Sequence, residues 1–166
     1  TETGQLEELK SYLRQYESEL SEHRPSLCAN AAVDALAGYY DHAAGQQSVP
    51  VEWKLALPRQ LPMPEADLCT ILGNLLENAL HAGQRQKQTG KPAVVETTAY
   101  EKNGRLFVQI ANSCSFPVQF DAQGVPTTSQ PGHGLGVRSI CAIVEQYGGM
   151  YSFARQQDQF VLRISL

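Results

Sequence analysis

One stretch leaves this chain little freedom: DLCTILGNLLENALHAGQR, Asp67 to Arg85. Leu68, Ile71, Leu72, Leu75, Leu76, Ala79 and Leu80 recur at intervals of three and four, the spacing of one broad apolar stripe on an α-helix. Asn74 and Asn78 are four apart, so they lie one above the other on a different face. Asparagine is a mediocre helix former because its amide competes for backbone hydrogen bonds. Two at that spacing in a strong helix pose a choice. Either both face water, or they hold a ligand. An amide oxygen is a hard neutral donor that suits Mg²⁺, and an amide also binds phosphate or water by hydrogen bonds.

A second motif bears on that choice. In Gly132-His133-Gly134-Leu135-Gly136, three glycines at alternate positions open another amphipathic helix, with Ile140, Ile143, Val144 and Tyr147 apolar. Glycines ahead of a helix let the backbone approach a ligand. The free N–H groups of the first turn then face that ligand, and the helix dipole favours an anion there. A lone G-x-G-x-G occurs in ordinary loops; after an Asn-x-x-x-Asn-Ala helix it says far more.

LGNLLENAL resembles the N-box, and GHGLGVRSI the second glycine box, of the GHKL ATPase superfamily. Within it the chain is similar to the catalytic ATP-binding domain of sensor histidine kinases. IANSC at 110–114 and the path through GVPTTSQPGHGLGV resemble the subgroup that includes quorum-sensing peptide receptors. The resemblance runs from about Ser48 to Leu166, and more weakly into the helical residues before it. It implies a two-layer α/β sandwich of the Bergerat type that binds ATP and Mg²⁺.

By that resemblance Asn78 would ligate Mg²⁺ through its side-chain oxygen, and Asn74 would sit beside the metal's waters and the phosphates. The loop from Gly132 would cradle phosphate with the backbone amides of Gly134, Leu135 and Gly136. The family's first glycine box is usually Asp-x-Gly-x-Gly, whose Asp accepts a hydrogen bond from the adenine amino group. Here the residues are Asn112-Ser113-Cys114. An Asn oxygen can still accept that bond, without the charge, and the adjacent glycine is missing. Arg138, in the first turn of the second helix, contacts phosphate or is solvated. His81 and His133 are further candidates for the nucleotide, with surface histidines as the alternative.

Superfamily members that hydrolyse ATP generally carry Glu where this chain has Asn74. An amide cannot take the proton of an attacking water, so transfer to a histidine supplied from elsewhere fits better. Glu77 reads as a solvated helix residue rather than a base. No histidine here sits in an acceptor motif: His23 is followed by Arg-Pro, and Asp41-His42 has the order reversed. The resemblance therefore implies an acceptor outside this chain, on the parent's own dimerisation and phosphoacceptor domain. It also implies a response regulator as partner and a homodimer of the full-length protein.

Composition narrows the remaining classes. A formal net charge of −4 argues against a general nucleic-acid binder. No apolar run is long enough to span a membrane and no signal peptide is visible, as expected for the cytoplasmic domain of a membrane-anchored sensor. Cys28, Cys69, Cys114 and Cys141 show no C-x-x-C and read as reduced packing thiols. His23, His42, His81 and His133 lack metal spacing.

The 166 residues suffice for one domain and an appendage: 1–24 as the end of a dimerisation and phosphoacceptor helical region, and 28–166 as the catalytic domain. Residues 1–22 read as a polar helix whose thin stripe, Leu6, Leu9, Leu13, Tyr16 and Leu20, wants a partner helix; the alternative is a helix packed on its own domain. The pattern begins abruptly, as in a piece of something longer. Arg24-Pro25 breaks it. A helix from Cys28 to Ala44 follows, with Gly45 as its stop, then a strand from Val49 to Leu57.

After the central helix, strands Ala93–Glu101 and Arg105–Ala111 flank Asn103-Gly104, a hairpin turn signal. A loop of about twenty residues, Asn112 to Pro131, is expected to be a lid. A helix over 135–147 and a hairpin of 150–155 with 159–165 complete the chain. Without regular βαβ alternation the class is α+β, a mixed sheet covered by helices on one face. Two other functions fit parts of the pattern. One is an anti-sigma-type serine kinase, against which the helix at 1–22 counts. The other is a degenerate domain kept for dimerisation or scaffolding, supported by the altered first glycine box alone.

Overall fold

The computed structural model describes residues 8–15, 24–127 and 135–166, and only the backbone of Leu135 and Gly136. The helices are α1 (8–15), α2 (Ala31–Gln46), α3 (Glu65–Gln88) and α4 (Leu135–Gln146). The strands are β1 (Val51–Ala56), β2 (Val95–Lys102), β3 (Arg105–Ser113), β4 (Met150–Gln156) and β5 (Gln159–Ser165). They form one five-stranded sheet in the order β1-β2-β3-β5-β4. β1 and β2 are parallel, joined across the sheet by α3, and every other pair is antiparallel. This is the expected α+β layout, a mixed sheet with helices packed on it.

Alternation decides which residues face the helices. In β3, Leu106, Val108, Ile110 and Asn112 are buried in step. Register aligns Val95, Asn112, Phe160 and Arg155 in one row, and Thr97, Ile110, Leu162 and Phe153 in the next. Onto these rows α3 presses the stripe read from the sequence, all seven residues of it buried.

Several boundaries depart from the sequence reading. α2 starts at Ala31, not Cys28, because Asn30 caps it. The Asn30 Oδ1 accepts the Val33 N–H at 3.0 Å, and its Nδ2 donates to the Arg59 carbonyl and the Glu65 carboxylate, each at 2.9 Å. Gly45 does not stop the helix, which runs to Gln46; Ser48 makes the turn instead, at φ 54. β1 is Val51–Ala56, shorter than the expected 49–57. α3 extends past Arg85 to Gln88, since Gln86 is buried and hydrogen bonded rather than part of a fading polar tail. β3 continues through Ser113, so Asn112 belongs to the strand and the loop begins at Cys114.

Tyr147 lies just beyond α4 and is exposed, its hydroxyl donating to Asp67. In α1, Leu9 and Tyr12 are exposed and the Tyr12 ring meets Tyr39 edge-on at 6.5 Å. Leu6, Tyr16, Leu20 and His23 lie outside the described residues. Among the described residues no helix is long and apolar enough to cross a membrane.

Candidate functional site

Between α3, the start of α4 and the β3-β5-β4 part of the sheet lies a cavity of about 210 Å³. Its sheet side is apolar, from Ile110, Leu162, Phe153 and Phe160, apart from Asn112 on β3. Its helix side comes from α3, where Leu75, Asn78, Ala79, Ala82 and Arg85 follow one another at helical spacing. Pro126 and Thr127 close one flank and Val137 contributes from α4. An apolar slot with a few convergent polar groups is what a planar heterocycle with a polar tail requires.

Asn112 and Asn78 enter this cavity from different layers. Strand alternation puts Asn112 on the inner face where Leu106, Val108 and Ile110 precede it, and it is 4% exposed. Its Nδ2 donates to the Ser113 carbonyl at 3.2 Å. That bond orients the amide, and among the described residues Oδ1 has no donor of its own. Asn78 is half-buried, and among the described residues its amide makes no hydrogen bond. Asn78 therefore faces the cavity. Asn74 is half-buried one turn earlier on α3, outside the cavity lining.

The other candidates divide. Glu77 and His81 do not line the cavity. Their side chains are exposed and approach each other at 3.4 Å. Glu77 also faces Tyr40, whose phenol is pushed up by burial and by the Glu77 carboxylate beside it. Arg138 is exposed and absent from the lining, whereas its neighbour Val137 is present. Gly132, His133 and Gly134 lie outside the described residues, as does the side chain of Leu135. The backbone of Leu135 and Gly136 forms the first turn of α4.

The expected lid has substantial local structure in its first part. The Asp121 Oδ1 accepts the N–H groups of Gln123 and Val125 at 2.8 and 3.0 Å. Phe120 bridges to Pro126 and its ring stacks on Phe160 at 6.4 Å. The small turn is therefore seated on β5.

The sequence reading missed two residues that line the cavity, Arg85 and Phe116, and two next to them in the chain, Gln86 and Ser115. The Gln86 Oε1 accepts both the Ser115 N–H, at 3.0 Å, and the Ser115 hydroxyl, at 2.9 Å. Arg85 lies over the Phe116 ring, and both line the cavity. A signal existed for Gln86: it falls on the continuation of the stripe through Leu72, Leu76, Ala79 and Gly83, where a polar side chain must find a buried partner. Ser115 and Phe116 belong to a segment without periodicity, and nothing in the sequence singles them out.

A family model described as GHKL domain matches residues 63–166, more than half of the chain. A comparison with curated proteins found no significant match. Among solved structures, the fold is similar to the Acinetobacter baumannii histidine kinase AdeS, at 14% identity and a TM-score of 0.59, over 82% of this chain and 62% of that one. The catalytic domain of histidine kinase ThkA aligns at 15% identity and a TM-score of 0.61, over 81% of this chain and 90% of that one. Full-length ShkA in complex with AMPPNP aligns at 20% identity and a TM-score of 0.57, over 81% of this chain but only 28% of that one. At these identities the likeness is one of fold.

Proposed function

The chain belongs to the GHKL domain family, and from that premise we propose that it is the ATP-binding catalytic domain of a sensor histidine kinase, delivering the γ-phosphate to a histidine outside this chain. The observation that carries the reading is the convergence of Asn78 and Asn112 on one cavity, from a helix and a strand far apart in sequence. Asn112 accepts the adenine amino group through Oδ1, while its bond to the Ser113 carbonyl holds the amide in the accepting orientation. The apolar sheet side receives the base. Asn78 stands on the opposite layer with a neutral oxygen donor. That donor would suit Mg²⁺ arriving with the nucleotide. Bound there, Mg²⁺ neutralises charge on the transferred group, the main help phosphoryl transfer needs.

Asn74, one turn from Asn78, holds water or phosphate by hydrogen bonds and offers no base for hydrolysis. The backbone amides of Gly134, Leu135 and Gly136, in the segment from Gly132 that leads into α4, would donate to the phosphates, with His133 and Arg138 as further candidates for the same groups. His81 contributes least, since Glu77 engages it. His42 is exposed on α2, which lends no residue to the cavity. The acceptor histidine therefore comes from the parent's dimerisation and phosphoacceptor domain, of which residues 1–24 are the end, and the phosphate passes on to a response regulator.

Calorimetric titration with Mg-ATP tests the reading. The unmutated chain is expected to bind with little hydrolysis over hours, and Asn78→Ala to lose most of the affinity. Absence of binding by the unmutated chain at millimolar nucleotide would overturn it.

A further inference from the structure

The base end of the cavity is built by residues that no motif assigns. Phe116 follows closely on Asn112 in sequence and lines the same cavity. The Arg85 guanidinium carbon lies 4.9 Å from the centroid of its ring, within the range of a cation–π contact. The short segment carrying the ring is tied down on both sides. Toward α3, the backbone and hydroxyl of Ser115 both donate to Gln86, a residue only 4% exposed. Toward the β4–β5 turn, the Cys114 N–H donates to the Asp158 carbonyl at 2.7 Å. The Cys114 thiol adds a contact to the Phe116 carbonyl at 3.4 Å. The aromatic surface is thus pre-set.

The chemistry of Asn112 makes such a surface necessary. A neutral amide accepts a weaker hydrogen bond than a carboxylate does, charge-assisted bonds being roughly twice as strong. A base read by Asn112 must draw affinity from elsewhere. Stacking supplies it without regard to hydrogen-bond pattern, because every base has a π face. A guanidinium held over one face of an aromatic ring fixes the ring and leaves the opposite face as the one a base would use.

We propose that Phe116, braced by Arg85, is the stacking surface for the purine of the bound nucleotide. The inference rests on the nucleotide reading above and adds to it the source of base affinity. Asn112 then selects the amino-bearing base, and Phe116 supplies most of the hold on it.

The test titrates Mg-ATP into the unmutated chain, Phe116→Leu and Phe116→Tyr, and follows the adenine H2 and H8 protons of the bound nucleotide by NMR. The leucine variant is expected to bind about tenfold more weakly, as removal of a base-stacking ring does. The tyrosine variant, which restores a ring, is expected to bind as the unmutated chain does. H2 and H8 are expected to shift upfield under the ring current in the unmutated chain and the tyrosine variant, and not in the leucine variant. Equal affinity of the leucine variant and the unmutated chain would overturn the proposal, as would equal weakening of both variants. If the leucine variant does not fold, nuclear Overhauser contacts in the unmutated chain decide: contacts from adenine H2 or H8 to the Phe116 ring protons support the stacked base, and contacts to the Phe153 or Phe160 ring alone refute it. Failure of the unmutated chain to bind Mg-ATP at all would instead remove the nucleotide reading, and this inference with it.

Discussion

Asp34 organises the junction ahead of α2. Its carboxylate accepts the N–H groups of Leu27 and Cys28 at 2.7 and 3.2 Å and pairs with Arg24 at 2.9 Å. The Arg24 side chain lies so close over Gly38 that a Cβ there would meet its Cζ at 2.7 Å. Burial acts most strongly on Asp34 and would raise it, but the Leu27 N–H and Arg24 together hold the carboxyl below its ordinary 3.8. A depressed carboxyl stabilises the fold above its unfolded pKa, and that stabilisation is lost as pH falls through the native value. Asp34→Ala is therefore expected to lower stability at pH 7 by about 2 kcal/mol. In urea unfolding, the gap between variant and unmutated chain should close as pH falls below 3.8. Asn112 teaches a related lesson about legibility. Strand alternation through Leu106, Val108 and Ile110 already points at it, yet its polarity reads as the start of a loop. A polar residue on the inner face of a strand is legible only once a cavity is known to lie over it.

At the scale of elements, α3 serves two layers. Its stripe was legible because helical periodicity is a local property. Its close approaches were not. At Gly83 a Cβ would meet the Val49 Cγ1 at 2.7 Å, and Val49 is fully buried. Alanine favours a helix over glycine by about 1 kcal/mol, but overpacking typically costs about 1–3 kcal/mol. Gly83→Ala should therefore destabilise, as a lower melting temperature would report. The last turn of α3 holds the base-end wall through Gln86. Gln86→Ala leaves the Ser115 N–H without its acceptor, a loss of about 1–3 kcal/mol. Amide exchange at Ser115 should accelerate well beyond that of neighbouring β3 amides. The element boundaries missed from sequence are at Asn30, whose own side chain caps α2, at Gln46, beyond which Lys87 of α3 donates to the Gln47 carbonyl, and at Gln88, where the buried Gln86 prolongs α3.

For the whole molecule, the sheet order decides what meets what. Because β5 lies between β3 and β4, Asn112 sits beside Phe160, and Ile110 beside Leu162, which pairs on its other side with Phe153. α3 crosses from β1 to β2 and so lies over this row with Asn78 on the cavity side. Nothing in this assembly brings a histidine of the described residues to the cavity lining. Incubation of the chain with γ-labelled ATP is accordingly expected to leave it unlabelled. Label should appear on the parent's phosphoacceptor domain when that is supplied in trans. Acid-labile phosphate on His42 or His23 of this chain would contradict the expectation.

The sequence by itself determined the helix of Asp67 to Arg85, the turn at Asn103-Gly104, the α+β class and the family motifs. Each rests on periodicity or on a short run of residues, and local sterics and hydrogen bonding settle such features within a few residues. Only the tertiary structure decided that Asn78 and Asn112 share a cavity, that His81 turns to Glu77, and that Arg85 and Phe116 line that cavity beside the bonded pair Gln86 and Ser115. Those facts depend on strand order and on which layer covers which, and no local interaction carries that information along the chain.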